Sequence, residues 1–149
     1  MRVSSGNARM AWIEFQSWLA QDLDVREEFY AELGTELDVD EASLDQLEAW
    51  LLEHYSKPDA ILALKERGIA DAAARHVGRV MVLNIDDAVW EIDLDHEDDV
   101  NYRLPVVRMA DGLSQCPLTL GTASLDRRTG SYLRDAVEVL EDAYNEDEV

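Results

Sequence analysis

The sequence predicts a single α+β domain over residues 1–149, with an N-terminal helical half packed on a small antiparallel sheet of about three strands, and a C-terminal helix. Apolar residues in the first half recur at the spacing of amphipathic helices. Val89–Leu94 then alternates apolar and acidic residues, as a half-buried strand does. Helical spacing returns after Gly130, and separate runs of helices and strands are typical of the α+β class.

The first helices are predicted from their apolar spacing and their end signals. Residues 1–8 are expected to form a flexible leader, and an amphipathic helix should run from Ala8 to about Gln21. Asp24, with Glu three positions later, indicates the capped start of a second helix. Gly34 is placed to end that helix in a left-handed conformation.

The third helix has the clearest pattern in the chain. Ser43 with Gln46 predicts a capping box at its start, and Lys57–Pro58 closes it. A short helical turn should follow over residues 60–67. The segment from Ile69 to Ile85 fits a helix stripe interrupted by a glycine, whereas its β-branched end would also suit a buried strand. We favour one helix over residues 69 to about 84.

Three strands are predicted in the second half. After Val89–Leu94, the segment Tyr102–Met109 resembles a strand in which Pro105 suggests an edge or a bulge. Asp111–Gly112 marks a turn, and Pro117–Ala123 is interpreted as the third strand. The sheet should therefore be a short antiparallel one.

The C-terminal helix is predicted to open at Thr129–Gly130–Ser131. Leu133, Val137 and Leu140 then follow helical spacing. The acidic tail, residues 145–149, is expected to fray. The last helix therefore completes the domain.

The four tryptophans are interpreted mainly as packing residues. Trp12, Trp18 and Trp50 lie at or beside helical stripes and are predicted to belong to the core. Trp90 lies in the middle of a strand, where it is either the main anchor of the sheet or an exposed interface residue.

Composition indicates an acidic cytoplasmic protein. The 149 residues include 33 acidic and 13 basic ones, for a formal net charge of −20. The apolar runs are too short to span a bilayer, and the first residues lack the apolar stretch of a secretory signal. The single cysteine, Cys116, has no partner for an internal disulfide and is expected to be buried.

The acidic residues are segregated along the chain. Gln21–Tyr55 holds twelve acids and one arginine, Ile85–Asp99 holds eight acids and no lysine or arginine, and Ala136–Val149 holds six and none. A folded molecule with this charge repels nucleic acid and anionic membranes and attracts cationic surfaces. The sequence therefore predicts docking on a basic protein partner, without nucleic acid or membrane.

The most concrete form of this hypothesis is a non-enzymatic inhibitor or immunity-type protein that covers the basic groove of a toxin or nuclease. Charge complementarity would accelerate association around a buried apolar centre. The candidate partner-binding residues belong to two acidic blocks: Asp38, Asp40, Glu41, Asp45 and Glu48, and Asp93, Asp95, Glu97, Asp98 and Asp99.

An alternative of a different class uses the second block as a metal site. The carboxylates of Asp93–Asp99, together with His96, are oxygen and imidazole ligands that could serve a metal-dependent enzyme or metal-binding domain. An EF-hand pattern starting at Asp93 fails, because its sixth position is Asp98 and its twelfth is Leu104. A solvated loop between two strands is the favoured interpretation. No residue is assigned as a metal ligand, and no cofactor is predicted.

Arg127 and Arg128 form the one local feature that suits an anion. They precede the start of the last helix, where guanidinium groups and free N–H groups could hold a carboxylate or phosphate. In a chain this acidic, the favoured role of both arginines is to pair with internal carboxylates. His54 is expected to sit at a helix end and His76 to be partly packed. Catalytic motifs are missing from the sequence, so no catalytic residue is assigned.

One part of the chain resembles a group of uncharacterised short acidic bacterial proteins. The likeness rests on Val77–Gly78–Arg79, on Val89–Trp90, and on the strand and turn Leu104–Gly112. It covers about a quarter of the chain. The resemblance implies a fold and no chemistry.

Overall fold

The computed structural model describes the backbone of residues 5–145 and the side chains of residues 11–145. This part of the chain contains seven α-helices, one 3₁₀ helix and a three-stranded antiparallel sheet, which confirms the predicted α+β class. The helices are α1 (Ser5–Ala20), α2 (Asp22–Leu33), α3 (Glu41–His54), α4 (Pro58–Leu62), the 3₁₀ helix (Leu64–Glu66), α5 (Arg67–Asn84), α6 (Pro117–Arg127) and α7 (Tyr132–Tyr144). The strands are β1 (Val89–Ile92), β2 (Pro105–Arg108) and β3 (Ser114–Gln115).

The helix starts differ from the predicted ones by a few residues. Helix α1 begins at Ser5, inside the stretch predicted as a flexible leader, of which residues 1–4 lie outside the described part. Residues 146–149 of the predicted frayed tail lie outside it as well. Helix α2 begins at Asp22 and ends as predicted at Gly34, which has φ 81° and donates its N–H to the carbonyl of Tyr30. Only a residue tolerant of positive φ suits this position.

Helix α3 is capped by Asp40 and not by Ser43. The Asp40 carboxylate accepts the N–H of Ser43 at 2.9 Å, which satisfies one free donor of the first turn. Ser43 is instead the third residue of the helix and is fully buried. Helix α4 and the 3₁₀ helix together form the short helical segment expected before α5.

Helix α5 is the centre of the fold. It confirms the prediction that the ambiguous segment from Ile69 to about residue 84 is one helix. Between Ala70 and Gly78 nearly every side chain is buried, because α5 contacts α2, α3, α4, α6, α7 and the sheet. Gly78 is needed at one of these contacts. A Cβ at this position would overlap the six-membered ring of Trp90, so the strand can approach α5 only over a glycine.

The sheet has the order β1–β2–β3. Val89 pairs with Arg108 and Ile92 with Pro105. Pro105 therefore lies in the central strand and not at an edge or bulge. It is tolerated because it is the first residue of β2, where a missing N–H does little harm. The predicted turn is confirmed by Gly112, which has φ 93° between β2 and β3.

The prediction of a strand over Pro117–Ala123 was wrong, since these residues open α6. Pro117 occupies the first helical position, which suits its fixed φ and absent N–H. Leu120, Ser124 and Leu125 are buried at helical spacing. The two threonines of this segment favoured a strand locally, but the buried positions repeat every three to four residues.

The core joins α3, α5 and α7. Leu44, Leu47 and Leu51 of α3 pack with Leu133 and Val137 of α7. Trp12 is half exposed and not in the core, because Ala11 and Phe15 carry the buried face of α1. None of the helices in residues 5–145 combines the length and apolarity needed to cross a bilayer.

Candidate functional site

Two acidic segments that are distant in sequence meet where α3 packs against α7. Arg134 of α7 lies 3.1 Å from the Asp45 carboxylate and 3.9 Å from that of Glu138. Glu41, in the first turn of α3, interacts with both Glu138 and Glu141 of α7. We call this surface the α3–α7 patch. It comprises Asp38, Asp40, Glu41, Asp45, Glu138 and Glu141.

The carboxyl groups of the α3–α7 patch are close enough to perturb one another. A hydrogen bond with Glu141, and secondarily burial, raises the pKa of Glu41. The pKa of Glu138 is raised chiefly by its hydrogen bond to Glu41. Such shifts mean that the ionised forms repel each other. A cation brought to this surface would relieve that repulsion.

Glu48 was predicted to bind a partner but is buried. Its two carboxylate oxygens accept the N–H groups of Tyr132 and Leu133, at 3.1 and 2.8 Å. It therefore caps the N-terminus of α7 from another helix. The sequence signal for its burial is its spacing, since Glu48 falls on the same helical face as Leu44 and Leu51.

The structure does not assemble the predicted anion site. Arg128 donates to the carbonyls of Leu52 and Tyr55 at 2.9 Å, and so caps the C-terminus of α3. The amides at the start of α7 are already held by the Glu48 carboxylate. Arg127 is exposed on the last turn of α6. The expected pairing of Arg128 with internal carboxylates was wrong, because backbone carbonyls take its guanidinium group.

The second acidic block forms an exposed loop after β1. Asp93 accepts the N–H groups of Asp95 and His96 and contacts His96 Nδ1 at 3.0 Å. These backbone bonds lower the pKa of Asp93, while the same carboxylate raises the pKa of His96. The remaining candidate residues of this block are exposed: Asp95, Glu97, Asp98 and Asp99.

The loop geometry does not supply a metal-ligand set. Among residues 11–145, no group of three or more histidine, cysteine, aspartate or glutamate side chains is arranged to hold a metal ion. The Asp93 carboxylate makes its contacts within its own turn, to Asp95 and His96. The metal-dependent alternative built on Asp93–Asp99 and His96 therefore gains no structural support.

The two predicted acidic blocks lie towards opposite ends of α5. The carbonyl of Val39 accepts the Asn84 side chain at 2.7 Å, at the end of α5. Ile92, which precedes the 93–99 loop, lines a crevice with Trp18, and Trp18 bonds Asp71 near the start of α5. Asp71 and Asn84 are about 20 Å apart along a helix axis. The two blocks do not form one surface.

A buried polar network lies behind the α3–α7 patch. His76 Nε2 is 2.9 Å from Ser43 Oγ, and the Ser43 hydroxyl donates to the Asp40 carbonyl. The imidazole must therefore donate to Ser43, which leaves Nδ1 to accept from Arg79 at 3.3 Å. Burial, and then the charge of Arg79, lowers the pKa of His76 to about 4. Ser43 and His76 are both buried, so the pair holds α3 against α5 and does not face a substrate.

No family model matches the chain, and comparisons with curated proteins and with solved structures find no match either.

Proposed function

We propose that this protein is a cytoplasmic, non-enzymatic binding protein that docks the α3–α7 patch on a cationic surface of a protein partner. The observation that carries the proposal is the contact among the carboxyl groups of Glu41, Glu138 and Glu141. Arg134 is the one cation paired with this group of acids in the described part of the chain.

The physical basis is the relief of like-charge repulsion. Lysine or arginine side chains of a partner would stabilise the ionised carboxylates and would also steer the encounter over long range. One exposed aliphatic residue, Val39, lies between Asp38 and Asp40 of the patch. It offers the apolar contact that a charged rim surrounds in stable interfaces.

The specific form we propose is an inhibitor or immunity-type protein for a basic toxin or nuclease. A basic groove that binds phosphates offers closely spaced cations, which match closely spaced carboxylates. Nucleic acid and anionic membranes are poor partners, because the net charge of −20 repels them.

The test compares two triple variants with the same change of charge. Glu41→Gln, Glu138→Gln and Glu141→Gln remove the patch, whereas Asp95→Asn, Glu97→Gln and Asp98→Asn remove exposed charge from the 93–99 loop. Basic proteins retained from native lysate at low salt and released at high salt would be purified and titrated calorimetrically. We expect the patch variant to lose at least about tenfold in affinity, with a weaker salt dependence.

The loop variant is the matched control and should bind nearly as tightly as the unaltered protein. An equal loss in both variants would show that net charge alone drives binding, contrary to the proposal. Failure to retain any salt-sensitive basic protein would also contradict it. Thermal melting checks that the patch variant is folded. Its midpoint should be at least as high as that of the unaltered protein, because the substitutions remove repulsion.

A further inference from the structure

A cavity of about 470 Å³ lies on another part of the molecule, between α1, α4, the start of α5, the sheet and the start of α6. This volume falls in the range of small-molecule sites. The walls are mostly apolar and include Trp18, Ile61, Leu62, Trp90, Leu104 and Leu118.

The tryptophan wall of the cavity is held in place by specific contacts. Trp18 donates its indole N–H to Asp71 at 2.7 Å, and its ring meets Trp90 edge-on with centroids 5.0 Å apart. The Arg75 guanidinium stacks over Trp18 at 4.0 Å, and Trp90 rests on Gly78. The cavity is therefore preformed, so a ligand would not have to order these rings.

The charge of Asp71, which also lines the cavity, is already compensated. One oxygen accepts the Trp18 N–H and the other accepts Arg75 Nε, each at 2.7 Å. Arg75 is 2% exposed and lies 3.6 Å from Asp22 as well. Asp71 therefore belongs to a neutralised internal network and is a weak attractor for a cationic ligand.

Arg67 is the uncompensated charge of the cavity. It is exposed, and within the described residues its side chain makes no hydrogen bond or ion pair. It is also the first residue of α5, where the helix dipole disfavours a cation. Glu66, the preceding residue, does not cap the helix with its side chain, and its carboxylate accepts the hydroxyl of Tyr55. A bare positive charge thus adjoins an apolar cavity in a strongly acidic protein.

We infer that this cavity binds an amphipathic monocarboxylate, with its apolar body against the tryptophans and its carboxylate on Arg67. An apolar chain or ring of roughly ten non-hydrogen atoms suits the volume and the walls. The carboxylate would form a bidentate pair with the guanidinium group and would compensate the positive end of α5. This inference is independent of docking through the α3–α7 patch.

The experiment titrates three probes that share one tail: octanoate, octan-1-ol and octylammonium. Binding is followed by tryptophan emission and by calorimetry at about 0.15 M salt, where screening limits the repulsion between the anion and the acidic protein. We expect octanoate to bind saturably, with Kd between about 10 μM and 1 mM. The alcohol and the ammonium probe should bind about tenfold more weakly.

Two variants locate the site. Arg67→Gln should weaken octanoate binding about tenfold and leave octan-1-ol unchanged, because only the carboxylate contact is lost. Leu62→Gln should weaken binding of all three probes, since Leu62 is half exposed at the wall and can be changed without disturbing the core. Arg127→Gln is the matched control. It removes another exposed arginine outside the cavity, and binding should not change.

Three results would overturn the inference. One is the absence of saturable octanoate binding up to millimolar concentration. Another is tighter binding of octylammonium than of octanoate, which would make Asp71 the dominant charge. The third is an equal effect of Arg67→Gln and Arg127→Gln on octanoate binding, which would show that the preference for octanoate depends on net charge alone.

Discussion

Single residues in this fold are constrained mainly where α5 meets its neighbours. Gly78 lies under the Trp90 ring, and His76 lies between Ser43 and Arg79. Both are in the middle of a helix that is buried on most sides, so neither position can relax by moving a side chain into solvent.

Gly78→Ala should destabilise the protein by about 2 kcal/mol or more. The added methyl group overlaps the Trp90 ring, and this overpacking outweighs the gain of up to about 1 kcal/mol in helix propensity. Gly68→Ala, in the same helix with no atom near its added Cβ, should be neutral or stabilising. Denaturant unfolding measures both. Equal effects of the two substitutions would contradict the close contact with Trp90.

His76 should make stability depend on pH between about 6.5 and 4. Its pKa is lowered to about 4 in the folded protein, so the unfolded chain binds more protons in this window. The contribution is fully present above pH 6.5 and is lost as the pH falls towards 4, for a total of about 3 kcal/mol. Denaturant unfolding of His76→Gln should lack this part of the slope. In His54→Gln, which changes an exposed histidine, the slope should persist.

At the scale of elements, α3 is held at its middle and at its C-terminal end by the segment that joins α6 to α7 and by the first residues of α7. Glu48 takes the first amides of α7, and Arg128 takes the last carbonyls of α3. Glu48 thus caps the start of α7 from α3, and Arg128 caps the end of α3 from the α6–α7 connection. The α6–α7 connection is thereby fixed by charge-assisted bonds to backbone groups.

Glu48→Ala should destabilise the protein by about 2–4 kcal/mol. The substitution leaves the buried N–H of Leu133 and the partly buried N–H of Tyr132 unpaired, and it removes a carboxylate from the positive end of α7. Glu48→Gln should have a smaller effect, because an amide oxygen still accepts one bond. Glu53→Ala, at an exposed position of α3, should stay within about 0.5 kcal/mol in the same unfolding assay. A similar loss for Glu53→Ala would argue against the capping role.

Elements were predictable where local signals agree with packing. Gly34 ended α2 as expected, and α5 and α7 follow their apolar spacing. The strand predicted over Pro117–Ala123 failed because its threonines carry a local preference that the helical burial pattern overrides. Contacts between residues far apart in sequence were less predictable, since the partners of Glu48 lie 84 and 85 residues away.

At the scale of the molecule, the arrangement of charge is the dominant property. The sequence showed three acidic segments but not which of them meet. In the fold, the first and third converge at the α3–α7 patch, and the 93–99 loop lies near the other end of α5. Charge segregation was therefore predictable, but its geometry depended on how α7 packs. The cavity beside Arg67 carried no sequence signal, because residues from six elements line it: α1, α4, α5, β1, β2 and α6.

Added salt should stabilise this protein, although salt weakens most surface ion pairs. Repulsion among the surplus carboxylates, Glu41 and Glu138 included, is screened as the Debye length falls from about 30 Å at 0.01 M to about 10 Å at 0.1 M. The thermal midpoint should rise over this range of NaCl. The Glu41→Gln, Glu138→Gln and Glu141→Gln variant should show a smaller rise. A midpoint that falls with salt would contradict net repulsion.

The caps at the start of α7 and the end of α3 also affect how these helices unfold locally. First-turn amides of a helix ordinarily lack an internal acceptor and exchange their hydrogens readily with solvent. Here the amides of Tyr132 and Leu133 lie on a buried carboxylate, so their exchange should be slow for a helix start. Since α7 cannot lift away without uncapping itself from α3, the two helices should exchange as one cooperative unit.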